Sequence, residues 1–162
     1  MIDISSAGSG ITIFSVSSFP MGFQLSAFAD DIDPLSIQST EVSGFERLYD
    51  GTIFSFDKTS PILLSVGVIP NTDDDINLKI LLQKRKSTQS NLPLPDGVTM
   101  VISYADGGRN VLSHGSILAG SIADSLMSQG RKKGNEYHFV FGSFDGFQSF
   151  QQVVSQGLSL LF

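Results

Sequence analysis

Two clusters of acidic side chains, at residues 30–33 and 73–75, have the ligand type that a metal ion or acid–base chemistry needs. The second cluster, together with Asn77, matches the first three alternate ligand positions of a calcium loop. However, Leu78 stands where that loop needs Gly, and Lys84 stands where it needs a bidentate Glu. We therefore expect no calcium site here, and we interpret these acids as the first turn of a helix.

The first cluster contains Asp30, Asp31 and Asp33, and the following Pro34 favours an extended conformation at Asp33. Two interpretations of these carboxylates stay open. They lie either on a solvated turn or at a contact between subunits. Neither interpretation requires a bound ligand.

The remaining candidates for catalysis do not form a recognisable constellation. His114 and His138 have no partner at metal-ligand spacing, and the chain has no Cys. Ser116 and Ser121 are each directly preceded by Gly, which does not fit the G-x-S-x-G pattern of a nucleophile elbow. Ile13 occupies the third Gly position of a partial dinucleotide fingerprint. We expect a protein that is not an enzyme and that binds no cofactor or metal.

The distribution of charge argues against nucleic-acid binding. Six of the ten basic residues lie in two triplets, at residues 84–86 and 131–133, and the net charge is −6. Phosphate contacts require Lys or Arg, and no aromatic residues alternate with the triplets. We interpret the triplets as a helix end and a solvated turn. DNA that meets this protein is expected to pass it without specific binding.

Length and composition predict one domain that associates with itself. The chain has 162 residues, of which 41% are apolar and only 16% are charged, against about 25% charged in an average soluble domain. So few charges leave surface that other subunits can cover. The lack of Cys fits a reducing compartment. The sequence shows neither a signal peptide nor the roughly 20 apolar residues of a membrane span, so we expect a soluble product made in the cytoplasm.

Most of the chain has the pattern of short β-strands, since apolar residues recur with period two between turn residues. A turn signal at residues 49–52 predicts a hairpin. We expect residues 1–10 to form an N-terminal arm. We also expect residues 144–162 to form a C-terminal extension whose apolar side chains are buried on this subunit or the next. Strands are predicted at residues 11–16, 23–28, 37–42, 53–56, 62–69, 98–104, 109–113 and 137–141, and residues 117–122 form either a strand or a loop.

One flanking α-helix is predicted at about residues 73–86. Thr72 is a suitable N-cap, and acids in the first turn and bases in the last turn complement the helix dipole. Ile76 and Ile80 form a second apolar stripe, nearly opposite the first, which either packs inside the monomer or contacts a neighbour. The first stripe contains Leu78, Leu81 and Leu82.

Four short motifs follow one another from about Phe19 to Phe141, and in this succession the chain resembles the inner tail tube proteins of contractile-tailed bacteriophages. Each motif alone is short, and the order and spacing carry the resemblance. The motifs are Phe19-Pro20-Met21-Gly22-Phe23, Phe28-Ala29-Asp30-Asp31-Ile32-Asp33-Pro34, Ile69-Pro70 with Asp74-Asp75-Ile76-Asn77-Leu78, and Tyr104-Ala105-Asp106-Gly107-Gly108.

The resemblance implies a mainly β fold, an antiparallel β-sandwich or barrel with one flanking helix, in a single tail-tube-like domain over residues 1–162. In that family six subunits close into a ring, and stacked rings form a tube under a sheath. It implies a virion structural protein that assembles in the host bacterial cytoplasm and conducts DNA during ejection. The implied partners are further copies in hexameric rings, the sheath protein, the tape measure protein and baseplate proteins.

Three surfaces are expected to take part in assembly. On the outer face of the helix, Ile76 and Ile80 are expected to touch a neighbouring subunit or an outer layer. On the polar side of the strand at residues 37–42, the lumen is expected to be lined by Gln38, Thr40 and Glu41, and an acidic bore would repel a passing duplex. The residues expected at ring-to-ring contacts are Asp30, Asp31, Asp33, Leu35, Phe45 and Glu46.

Two other functions remain open at this point. The chain is either the repeated tube subunit or a tube-like protein of the baseplate or tail tip. A ligand-binding or carbohydrate-binding β-sandwich is the alternative from another class. Such modules usually present exposed aromatic platforms, and this chain has no Trp and only three Tyr.

Overall fold

The computed structural model describes residues 8–16, 18–58, 60–87 and 97–147. This part of the chain contains nine β-strands and one α-helix. In chain order, the strands before the helix are β1 (Gly10–Ser15), β2 (Phe23–Leu25), β3 (Leu35–Ile37), β4 (Ser43–Arg47), β5 (Ile53–Asp57) and β6 (Ile62–Val68). The helix α1 (Asp73–Ser87) is followed by β7 (Val98–Ser103), β8 (Arg109–Gly120) and β9 (Asn135–Phe147).

Seven of these strands form one antiparallel sheet in the order β2-β1-β7-β8-β9-β6-β3, and β4 pairs only with β5. The sheet curls, because the chain leaving β2 returns to β6. There the amide of Ala29 donates to the carbonyl of Gly67 over 3.1 Å, and the amide of Ile69 donates to the carbonyl of Ala27 over 2.9 Å. The predicted class, a mainly β antiparallel fold with a single helix, is confirmed.

The hydrophobic core lies inside the curl. Strand alternation directs every second side chain inward, so β1 buries Ile11 and Ile13. On β9 the rings of Phe139 and Phe141 are fully buried and stack with centroids 6.1 Å apart. Side chains from β6, β7 and β8 complete the same cluster.

The helix α1 packs against β8 and β2. Thr72 is its N-cap, since the Thr72 hydroxyl accepts from the amide of Asp75 over 3.4 Å. Leu78 and Leu81 are buried in the core, whereas Ile80 is 43% exposed. The predicted helix and its two stripes are confirmed. Within the described ranges, no helix is both long and apolar enough to cross a membrane.

Several strand boundaries differ from the expected ones. The strand expected at residues 37–42 is wrong, because β3 ends at Ile37. The segments at 109–113 and 117–122 belong to one strand, β8, which is irregular at His114, where φ is 55°. The last strand, β9, runs to Phe147, beyond the start of the expected C-terminal extension. Residues 148–162 and most of the expected arm, residues 1–7, lie outside the described residues.

Candidate assembly surfaces

The β4–β5 hairpin carries a cluster of exposed apolar side chains. All five side chains of β5 are exposed, and β4 buries none of its side chains. Phe45 is 72% exposed, Ile53 is 62% exposed, and Tyr49 at the turn is fully exposed. The ring of Phe56 lies against Gly44, where a Cβ atom would meet it at 2.7 Å. The predicted hairpin is confirmed, and its apolar side chains have no core beneath them.

The two faces of this hairpin differ in chemistry. Alternation puts Phe45 and its cross-strand neighbours on one face, while Glu46 lies opposite Phe54 on the other. Phe54 and Phe56 contact each other with ring centroids 6.5 Å apart. An isolated two-stranded hairpin is at best marginally stable in water, and clustered exposed apolar surface typically marks an interaction site. The exposed apolar surface makes the hairpin a candidate site for contact with another chain.

An apolar groove of about 270 Å³ lies at the base of the hairpin. Val42, just before β4, and Ile37 at the end of β3 line one side, and Leu112 and Phe144 line another. Val42 is 66% exposed and Phe144 is 61% exposed. The apolar surface of the hairpin thus continues onto the rim of the curled sheet.

The acidic segment expected at a ring contact is held within its own subunit. The carboxylate of Asp30 accepts two hydrogen bonds from the Arg131 guanidinium, at 2.9 and 3.1 Å, and these bonds lower the pKa of Asp30. The Asp31 carboxylate accepts from the amide of Gly134 over 3.0 Å. Asp33 is exposed. The basic triplet at residues 131–133 therefore joins the acidic segment, a pairing that neither motif alone indicated.

A polar network joins the first turn of α1 to β9. The Asp75 side chain is 1% exposed and accepts from the Tyr137 hydroxyl over 2.7 Å and from the Asn135 amide over 2.8 Å. Its other oxygen accepts from Lys79 over 3.0 Å and from the amide of Asn71 over 3.2 Å. Burial alone would raise the pKa of Asp75, but these hydrogen bonds outweigh it and the pKa is lowered.

Asp124 extends this network to the loop between β8 and β9. It accepts from Lys79 over 2.6 Å, from Lys132 over 2.8 Å and from Asn135 over 2.9 Å. The hydrogen bonds from Lys132, Lys79 and Asn135 hold the pKa of Asp124 well below its usual range. Burial lowers the pKa of Lys79, but Asp124 and Asp75 together raise it above the ordinary lysine value. The network fastens helix, loop and strand to one another.

Asp74 has a different role at the edge of the sheet. Its carboxylate accepts from the amides of Ser26 and Ala27 over 2.7 and 2.9 Å, immediately after β2. These two donors would otherwise be unpaired at the sheet edge, and the Asp74 side chain is buried over them. The expected first-turn acids are thus structural, and two of the three have specific partners in the fold.

A second groove, of about 290 Å³, lies between the end of α1 and the end of β8. Leu82, Arg85 and Lys86 line its helical side, and Leu118 and Ile122 line the opposite side. Leu118 is 57% exposed and Ile122 is 62% exposed. Ile76 and Ile80 are also exposed on α1, at 48% and 43%, so the outer stripe of the helix is available for contact.

The residues expected at the lumen lie in the segment that was predicted as a strand at residues 37–42. Gln38, Thr40 and Glu41 lie after β3, in the connection to β4, so strand alternation no longer assigns them to one face. The Glu41 carboxylate accepts from Lys58 over 2.9 Å, and Lys58 lowers the pKa of Glu41. Thr40 lines the groove at the base of the hairpin. Their position in an assembled particle stays a prediction.

The polar network was missed from the sequence. Asn135 and Tyr137 stand on a strand whose pattern indicates packing only, and Asp124 is a single acid in an irregular loop. Only Asp75 could have been noticed from the sequence, because it lies in the first turn of a helix. An acid at that position is already explained by the helix dipole, so it did not indicate a network. In the described ranges, no three His, Cys, Asp or Glu side chains are placed to hold a metal ion.

Comparison with known families gives one match that spans most of the chain. The family model for tail fiber protein gp32 (E217_Gp32) matches residues 2–145. No curated protein matches the chain.

Three solved structures share the fold along almost the whole chain. A chain of the anti-feeding prophage baseplate has a TM-score of 0.60 at 13% identity, covering 93% of this chain and 99% of that chain. A chain of the anti-feeding prophage cap, which terminates the tube, has a TM-score of 0.52 at 7% identity, covering 92% and 95%. A chain of the sheath/tube terminator of PVC, an extracellular contractile injection system, has a TM-score of 0.52 at 12% identity, covering 91% and 96%. At these identities the likeness shows the fold.

Proposed function

Because the chain belongs to the tail fiber protein gp32 family, we propose that it is a structural subunit of a phage tail, and specifically a tube subunit. Copies form rings, and stacked rings form a conduit through which DNA is ejected. The observation that carries the proposal is the β4–β5 hairpin, an apolar arm that is exposed in the single chain. The proteins of similar fold from the prophage and injection-system particles support the same role.

The contacts of the proposed tube follow from the shape of the subunit. A head-to-tail interface closes into a ring when its rotation permits and otherwise continues as a helix. The hairpin can serve such an interface because it projects from a sheet that has its own core. Six subunits per ring is the number that the resemblance to tail tube proteins implies. The proposed partners are further copies, the sheath protein, the tape measure protein and baseplate proteins.

The acidic balance of the chain suits a conduit. With a net charge of −6 the subunit repels DNA phosphates on average. We place Gln38, Thr40 and Glu41 near the bore, so that the passing duplex meets two uncharged side chains and a carboxylate that is paired with Lys58. DNA would then slide through without a binding site from which it must escape.

A second candidate is a tube-like protein at the baseplate or tail tip. A specific observation favours it, because the family is named for a tail fiber protein and the baseplate chain matches along 99% of its length. A terminal protein would form one ring or a few rings, whereas a tube subunit would form long stacks. The length of the assembly therefore separates the two candidates.

Negative-stain microscopy and light scattering of the concentrated protein test the proposal. Long hollow tubes support the tube subunit, and single rings support the terminal position. A monomer that stays monomeric at high concentration, alone and with the other tail proteins of its particle, would overturn both. A carbohydrate-binding module would behave in this last way, and glycan-array binding by the monomer would identify it.

A further inference from the structure

The groove between α1 and β8 combines basic and apolar side chains in an otherwise acidic protein. Arg85 and Lys86 stand on its helical side, and no acidic residue is among the described residues that line it. Leu118 and Ile122 supply exposed apolar surface on the other side. Ala119 and Gly120 of β8 complete the lining of the groove.

The β8 side of this groove is held in place by the buried network. A Cβ atom at Gly120 would meet the ring of Tyr137, and Tyr137 donates its hydroxyl proton to Asp75 over 2.7 Å. The loop beyond the groove is held by Asp124, which accepts from Lys79 of α1. The two sides of the groove are thus tied to each other by hydrogen bonds, so the groove is preformed for a ligand.

The β4–β5 hairpin has the complementary chemistry. One face presents Glu46 beside the exposed rings of Phe54 and Phe56. At the turn, Tyr49 is fully exposed and is followed by Asp50. A carboxylate next to apolar rings is the chemistry that a basic groove with apolar edges would bind.

We propose that the α1–β8 groove of one copy receives the β4–β5 hairpin of a second copy, with Glu46 near Lys86 and the turn at Tyr49 against Ile122. This inference rests on the proposed tube function and names the two surfaces that meet in it. The contact is heterologous, since the hairpin and the groove are different patches of the subunit, and each copy offers both. Repetition of the contact then builds rings or stacks.

A cross-linking experiment tests the proximity directly, because the chain has no Cys of its own. Two single-Cys proteins, Tyr49→Cys and Ile122→Cys, are mixed, assembled and mildly oxidised. A disulfide forms only where the two Cα atoms come within about 7 Å. We expect a disulfide-linked dimer of the two variants. The matched control pairs Ile122→Cys with Met21→Cys, since Met21 is 90% exposed on another loop, and should give no such dimer.

Charge reversal tests the specific pair. Glu46→Lys alone and Lys86→Glu alone should each weaken assembly roughly three- to tenfold, as expected for an exposed ion pair replaced by like charges. The double variant restores an opposite-charge pair and should regain assembly. Arg109→Glu makes the same change of charge as Lys86→Glu but lies outside the groove, so this control should assemble like the unmodified protein.

The outcomes separate this inference from the function on which it rests. If particles form but the Tyr49–Ile122 dimer is absent and the double variant is not rescued, the inference is overturned while the tube function stands. A groove occupied by a different tail protein would give this pattern, with Lys86→Glu weakening only the mixed assembly. If the unmodified protein forms no particles under any condition, the proposed function itself fails.

Discussion

Two regions of this molecule use their side chains in opposite ways. Around the start of α1, Asp75 of the helix and Asp124 of the β8–β9 loop accept hydrogen bonds from Lys79, Asn135 and neighbouring groups of the same chain. On the β4–β5 hairpin, apolar rings stay exposed and contact mainly one another. In the first region the chain satisfies its own polar groups, and in the second it leaves apolar surface uncovered.

The difference indicates where folding ends and assembly begins. A buried carboxylate must have its partners within the monomer, because an unpaired one would cost several kcal/mol, about 3–5 if its ion pair is broken. Exposed apolar surface costs less and can be covered later by another copy. Changes in the first region should therefore act on the fold, and changes in the second should act on the particle.

Asp75→Ala should have the largest effect on the fold. It removes the acceptor of Tyr137, Asn135 and Lys79, so the free energy of unfolding should fall by about 3–5 kcal/mol. Urea denaturation of the monomer measures this loss. The control Asp73→Ala removes an exposed acid from the same turn and should cost at most about 1 kcal/mol. Equal losses in the two variants would show that the network adds nothing beyond the helix dipole.

Phe45→Ser should affect the particle instead. Phe45 is 72% exposed, so the free energy of unfolding should change by no more than about 0.5 kcal/mol. If assembly buries Phe45, loss of its ring should weaken association by about 2 kcal/mol, or roughly thirtyfold. Analytical ultracentrifugation measures the association. Val16→Ser removes an apolar side chain that is 79% exposed away from the hairpin and should assemble normally, and a similar defect there would contradict the role of the hairpin.

Low pH should lower the stability that the network around Asp75 and Asp124 contributes. The pKa values of Asp75 and Asp124 are both lowered in the fold, so their contribution to stability is present above the unfolded-state pKa of about 3.9. It is lost as the pH falls through the lower folded-state values. Urea midpoints should therefore fall below about pH 4, and Asp124→Asn should flatten that dependence. An unchanged slope in the variant would assign acid sensitivity to other groups.

The smallest effect is expected on the outer stripe of α1. Ile76→Ser and Ile80→Ser should leave the free energy of unfolding within about 0.5 kcal/mol, since both side chains are exposed. If this stripe contacts a neighbour or an outer layer, the variants should bind less sheath protein while forming tubes of normal length. Co-sedimentation of tube and sheath measures this, with Val16→Ser, which changes an exposed apolar side chain off the helix, as the control.

The sequence was sufficient for features that depend on local pattern. The helix follows from Thr72, the charged ends and the leucine stripe, and the hairpin follows from the turn at residues 49–52. Strand alternation also located most of the core, including Phe139 and Phe141. These features need no knowledge of distant partners.

The features that failed depend on contacts between distant residues. Asp30 meets Arg131, and Asp75 meets Tyr137, and neither spacing has a pattern that a single sequence reveals. The strand at residues 37–42 was wrong because only Leu35–Ile37 find a partner on β6, after which the chain leaves toward the hairpin. Predicting that the hairpin is exposed would also have required knowing where the seven-stranded sheet ends.

The two outer strands of the curled sheet, β2 and β3, are only three residues long, and Asp74 occupies the amides that follow β2. Long, open strands would let newly made subunits stack into amyloid-like fibres. At the two ends of this sheet, strand addition therefore has only a short template. Contacts between copies are thereby left to side-chain surfaces such as the hairpin, and not to continuation of the seven-stranded sheet.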